Sequence, residues 1–128
     1  MTSEQKVDLF VSAAQYGRVE EVKRCLDEGL HVDSVNKDGV TALMKAAGNG
    51  HKAVCELLVS RGCNVDLQNE YGATALILAA RYGHKEVCKL LVSRGCKVDL
   101  QDNKDGRTAL MKAAAYGHKE VCELLVSR

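Results

Sequence analysis

At 128 residues the chain has room for one ordinary domain, and with one Phe and no Trp any core must be built from Leu, Val, Ala and Cys. Eighteen Lys and Arg against 17 Asp and Glu leave a formal net charge of +1, well short of the basic footprint of a nucleic-acid binder, and no stretch of eighteen or so apolar residues offers a membrane span. Six cysteines in a chain whose start, MTSEQKVDLF, carries no apolar leader point to reduced thiols and a cytoplasmic or nuclear setting over a disulfide framework.

In chain order the elements are four versions of one unit, because the chain lines up with itself at a spacing of 33 residues. The first version, about 4–35, is diverged: Asp8 stands opposite Thr41, Ala13 and Ala14 opposite Ala46 and Ala47, and Gly17 and Gly29 opposite Gly50 and Gly62. The second and third, 36–68 and 69–101, agree at 23 of 33 positions. The fourth, 102–128, is incomplete and carries one additional residue near Lys104, so that Thr74 maps onto Thr108. One domain, 1–128, is expected.

Each version predicts two short helices. Asp8, Thr41, Thr74 and Thr108 sit where a side-chain oxygen caps the first helix, and Gly17, Gly50, Gly83 and Gly117 where a left-handed residue ends it. The second helix follows at once. In GHKEVCKLLVSRG, Val87, Cys88, Leu90 and Leu91 form a helical apolar stripe, with Lys85, Glu86 and Lys89 facing water. The Asp-, Asn- and Gly-rich segment after Gly95 reads as a turn or hairpin to the next pair.

This succession of a turn, TALMKAA, a Gly-His pair, a VCELL helix, a glycine and a VD turn resembles the ankyrin repeat over nearly the whole chain. The resemblance implies an all-α solenoid of stacked helix-turn-helix repeats joined by hairpin-like turns, with first helices lining a concave surface. Thr-Ala-Leu-Met at 41–44 and 108–111, and Thr-Ala-Leu-Ile at 74–77, stand where the family usually has Thr-Pro-Leu-His. Apolar packing is therefore expected in place of the Thr to His hydrogen bonding common in the family.

The resemblance further implies a non-catalytic module that binds a protein or peptide partner through hairpin tips and the concave first-helix face. Positions that only hold the stack together should be kept between repeats, while recognition positions drift. Five of the ten differences between the second and third repeats fall at a tip or the end of a first helix. All four tyrosines lie there too: Tyr71 at a tip, and Tyr16, Tyr82 and Tyr116 just before a helix-ending glycine. Tyrosine offers a large rigid contact area with a hydroxyl, although a Tyr in that place can also simply cover the neighbouring helix end. The expected contact residues are Lys37, Asp38, Lys45, Glu70, Tyr71, Arg81, Tyr82, Asn103, Lys104, Arg107, Lys112 and Tyr116. The charge around them is positive in excess, which suits an acidic partner.

No metal, cofactor or catalytic role is expected. Cys55, Cys88 and Cys122 recur once per repeat inside the apolar stripe, Cys63 and Cys96 recur at the turn, and no close C-x₂₋₄-C pair occurs. His51, His84 and His118 should stand about 10 Å apart, one helix-packing distance. Gly48, Gly50 and Ala53 fit a dinucleotide pattern, but follow a helix where the motif needs a strand. No nucleophile with a partnered base is apparent. Two other readings stay open. Val121, Cys122, Leu124 and Leu125 copy the internal repeats where a terminal repeat normally turns a polar face outward, so the stack could be a spacer, or self-associate end to end, within a longer array. The near-identity of two repeats also fits an engineered binder, against which the additional residue and the diverged first copy count.

Overall fold

The computed structural model describes residues 1–127, leaving Arg128, the last position of the expected fourth repeat, outside the description. Among these residues the chain is all-helical: α1 (Ser3–Gln15), α2 (Val19–Asp27), α3 (Ala42–Gly48), α4 (Lys52–Ser60), α5 (Ala75–Arg81), α6 (Lys85–Ser93), α7 (Ala109–Ala115) and α8 (Lys119–Ser127). Each odd helix pairs with the even helix after it, and each pair packs on the next. Neighbouring odd helices pack more closely than neighbouring even ones, so the stack curves with α1, α3, α5 and α7 on the inner side.

Close approach on that side follows from residue size. Ala46, Ala47, Ala79 and Ala80 are buried along the odd helices, and between the layers Val54, Cys55, Leu58, Val87, Cys88 and Leu91 are fully enclosed. Helices of seven residues are too short to persist alone, so this burial is what holds them. The apolar packing expected at the Thr-Ala-Leu-Met and Thr-Ala-Leu-Ile positions is present internally, with Met44 and Ile77 buried, while Met111 on the last pair is half exposed.

Thr41, Thr74 and Thr108 cap α3, α5 and α7 by accepting the N–H of the residue three positions on. The expected cap at Asp8 is overturned. α1 starts earlier, at a capping box in which the Thr2 hydroxyl accepts the Gln5 N–H and the Gln5 side chain accepts the Thr2 N–H. Lys6 stands where the other copies have the hairpin glycine (Gly39, Gly72, Gly106), so nothing demands a left-handed turn and the helix runs straight through Asp8.

The connections are Asx-stabilised tips. The Asn36 side-chain oxygen accepts the N–H groups of Asp38 and Val40, and Asn69 does the same for Tyr71 and Ala73. Tips and turns are laddered to their neighbours: Asp33 accepts the Asn64 N–H, Asp66 accepts the Lys97 N–H, and the Gln68 side chain donates to the Gly72 and Gln101 carbonyls.

The histidines supply a link between repeats that sequence reasoning missed. The ring Nε2 atoms of His51, His84 and His118 lie 2.9, 3.0 and 2.8 Å from the carbonyls of Gln15, Gly48 and Arg81 in the preceding pair. A carbonyl only accepts, so Nε2 carries the proton. The same rings lie flat against Gly17, Gly50 and Gly83, where a Cβ on Gly50 would stand 2.5 Å from His84 Nδ1. A glycine is therefore required there both for its φ of 75° and for the space it leaves.

The cysteines divide. Cys55 and Cys88 are fully buried, whereas Cys25, Cys63, Cys96 and Cys122 are only partly so, and Cys25, Cys55, Cys63, Cys88 and Cys122 are free thiols. Burial pushes the Cys55 and Cys88 thiols up to about 12 and the Cys63 thiol up to about 11, which removes the thiolate needed for nucleophilic attack. No helix among the described residues is long and apolar enough to cross a membrane.

Candidate interaction surface

The odd helices carry the inner face, and two clefts lie along it. The larger, about 670 Å³, is lined by residues that include Met44, Lys45, Asn49, Asn69, Leu78, Tyr82 and His84. The smaller, about 320 Å³, is lined by Asn69, Tyr71, Ala73, Ile77, Leu78, Arg81, Asp102, Lys104 and Lys112. Leu78 and Asn69 belong to both, so the two form one groove with a shared ridge.

Arg81 is held on this face by two aromatic rings. Its guanidinium lies 5.3 Å from the ring centroids of both Tyr82 and Tyr116, and the Arg81 carbonyl accepts from His118 in the following pair. Neither tyrosine is enclosed, with 53% and 51% of their surfaces exposed. Two aromatic faces thus hold a charged fork that forms no ion pair with any carboxylate among the described residues. Arg18 stacks similarly on Tyr16, at 5.5 Å, one end of the stack away.

At the tips, Lys37, Asp38, Glu70, Tyr71, Lys104 and Arg107 are exposed, and Lys45 is half-buried in the larger cleft. Asn103 is exposed but engaged: its N–H donates to the Tyr71 carbonyl at 2.8 Å and its side-chain amide reaches the Glu70 carbonyl at 3.4 Å. It fastens the third tip to the second across Gly72, whose own Cβ position lies 2.6 Å from the Asn103 nitrogen.

Lys112 departs from the expectation of a surface cation. It is 8% exposed, and its ammonium lies 3.2 Å from Asp102 and 3.7 Å from Asp105. The reason is local. Asp102 stands where the other tips have Asn36 and Asn69, still accepts backbone N–H groups, here from Arg107 and Asp105 across the longer loop, and has a formal charge left to satisfy. The Arg107 N–H, followed by the Asp105 N–H and Lys112, holds the Asp102 carboxyl down at about 2 against the opposing effect of burial. Lys112 is thereby withdrawn from the positive charge that a partner could meet, which leaves Lys37, Lys45, Arg81, Lys104 and Arg107.

Leu78, Asn69 and Asn49 are surface residues of the groove that sequence reasoning did not single out. Leu78 was visible as a difference between repeats, opposite Lys45, but an apolar residue inside ALILAA reads as core. Asn69 was invisible in principle, because it matches Asn36 and its role comes from the tip it stabilises.

No group of three or more His, Cys, Asp or Glu close enough to hold a metal ion occurs among the described residues, and His51, His84 and His118 are each turned to a backbone carbonyl. A family model described as ankyrin repeats in three copies matches residues 9–102 and residues 63–128. No curated protein matches the chain.

Proposed function

The chain belongs to the ankyrin repeat family, and from that membership we propose that it is a non-catalytic module that docks a partner protein or peptide in the inner groove and against the hairpin tips. Arg81 is the observation that carries this reading. A cation clamped between two half-exposed tyrosines, with no internal carboxylate, is pre-organised for an acidic group from outside, and Arg and Tyr are the residue types that most often dominate interface energetics. Tyr71, Lys45, Lys104 and Arg107 flank it, with Lys37, Asp38, Glu70 and Asn103 at the edge of the contact. The positive excess steers acidic partners toward the groove. The free thiols of Cys25, Cys55, Cys63, Cys88 and Cys122 fit a reducing intracellular compartment.

Affinity capture with the chain, run beside an Arg81→Ala/Tyr82→Ala variant that folds normally, tests the assignment. Captured partners should be lost from the variant, and capture that is indifferent to both substitutions refutes the site. A second reading, end-to-end self-association, rests on the last pair, where Leu110, Met111 and Val126 are 36%, 50% and 69% exposed. Sedimentation showing only monomer at high concentration dismisses it.

A further inference from the structure

Leu78 forms the ridge between the two clefts, and its column along the stack is informative. The same position is Lys45 in the second repeat and Lys112 in the fourth. Lys112 is neutralised by Asp102 and Asp105. Lys45 has no carboxylate within ion-pair distance among the described residues, and neither have Arg81 and Lys104. The groove therefore presents a free cation on one side of an apolar ridge, Lys45, and two on the other, Arg81 and Lys104, with Met44 and Ile77 continuing the apolar floor on the two sides.

We propose that this groove reads an extended partner segment of the pattern acidic, any, apolar, any, acidic, its central side chain seated on Leu78 and its two carboxylates taken by Lys45 and by Arg81 with Lys104. The proposal rests on the protein-binding reading above and names the partner chemistry of that site. Alternate side chains of an extended chain point the same way, and four residues of extended chain span about 13 Å, close to one repeat spacing of about 10 Å plus the reach of the long basic side chains. Tyr71 and Lys104 wall the smaller cleft from the tips. An uncharged apolar partner would leave Arg81 buried without a counter-charge, whereas a uniformly acidic one would set a carboxylate on Leu78. Both are penalised.

The test is a fluorescence-anisotropy titration of the chain with a labelled peptide containing Glu-Ser-Leu-Ser-Glu. The controls are a same-composition peptide with the Leu moved next to a Glu, and one with Gln for both Glu. The patterned peptide should bind about tenfold more tightly than either control, a difference of about 1.4 kcal/mol. Arg81→Ala should lower its affinity about tenfold. Leu78→Lys, which installs the residue already carried by the second repeat, should erase the preference for pattern over shifted peptide while keeping the dependence on Glu. Circular dichroism establishes that both variants are folded. Equal binding of patterned and shifted peptides, or no binding of any, overturns the proposal. If partner capture still depends on Arg81 and Tyr82, only the pattern has failed, and loss of that dependence refutes the site as well.

Discussion

Lys45 and Lys112 stand at the same place in the second and fourth repeats, each four residues after its capping threonine within the same ALMKAA segment, yet one is a half-buried, unpaired cation of the groove and the other is locked in an ion pair. The difference lies in the tip beneath. Asn36 caps a compact tip and brings no charge, whereas Asp102 caps a tip one residue longer and brings a carboxylate to Lys112. Identical local sequence thus yields an unpaired cation in one repeat and a neutralised one in another, because the counter-charge is supplied by a different segment.

The largest effect that can break this comparison is at the glycine of the tip. Gly39 and Gly72 have φ of 73° and 75°, but a Cβ at Gly39 meets nothing within 4 Å, while at Gly72 it lies 2.6 Å from the Asn103 backbone nitrogen. Gly39→Ala should cost about 1 kcal/mol for the left-handed conformation alone. Gly72→Ala should cost about 3 kcal/mol, adding the clash that pushes the third tip off the second. Paired urea titrations measure both, and equal losses would show that the tips are not docked.

A smaller effect separates the two lysines. Lys112→Met strands the Asp102 carboxylate and should cost about 2 kcal/mol, less than a fully enclosed pair because two N–H groups still hold it. Lys45→Met should change stability by under about 0.5 kcal/mol. The double change Asp102→Asn/Lys112→Leu, which copies the third repeat's Asn69 and Leu78, should be close to neutral, since replacing both charges removes the desolvation cost along with the attraction. Thermal melts of the three variants decide this.

The smallest and most specific expectation concerns acid. Asp102 has its carboxyl depressed to about 2 in the folded chain against about 3.9 unfolded. Its contribution is present in full above about pH 4 and is lost as pH falls from about 4 through 2, because the unfolded chain takes up the proton first. Melting the chain and the Asp102→Asn/Lys112→Leu variant at several pH values across this window should show the wild type losing ground to the variant as pH drops. A constant gap would mean that the pair does not couple to folding.

The scaffold was legible in the sequence for a physical reason. Helix pairs that touch only their neighbours leave a strict record: Thr where a helix needs a cap, Gly where the backbone turns left-handed, and an apolar stripe at helical spacing. The one misplaced boundary, at Asp8, came from carrying the repeat into a copy that lacks the tip glycine. In the groove, Arg81, Tyr82 and Tyr116 were marked by drift and by their position before a glycine, but their stacking was not, since Tyr116 reaches Arg81 from the next repeat.

What the sequence determined by itself is therefore what depends on period and local chemistry: the helix pairs, their order, and which residue types face outward. What only the tertiary structure decided is which charges remain available. Whether a lysine is free or neutralised depends on a carboxylate ten residues away in the chain and about 3 Å away in space for Lys112, and on its absence for Lys45. Repeat position cannot encode that, because the same helix is presented with a different tip.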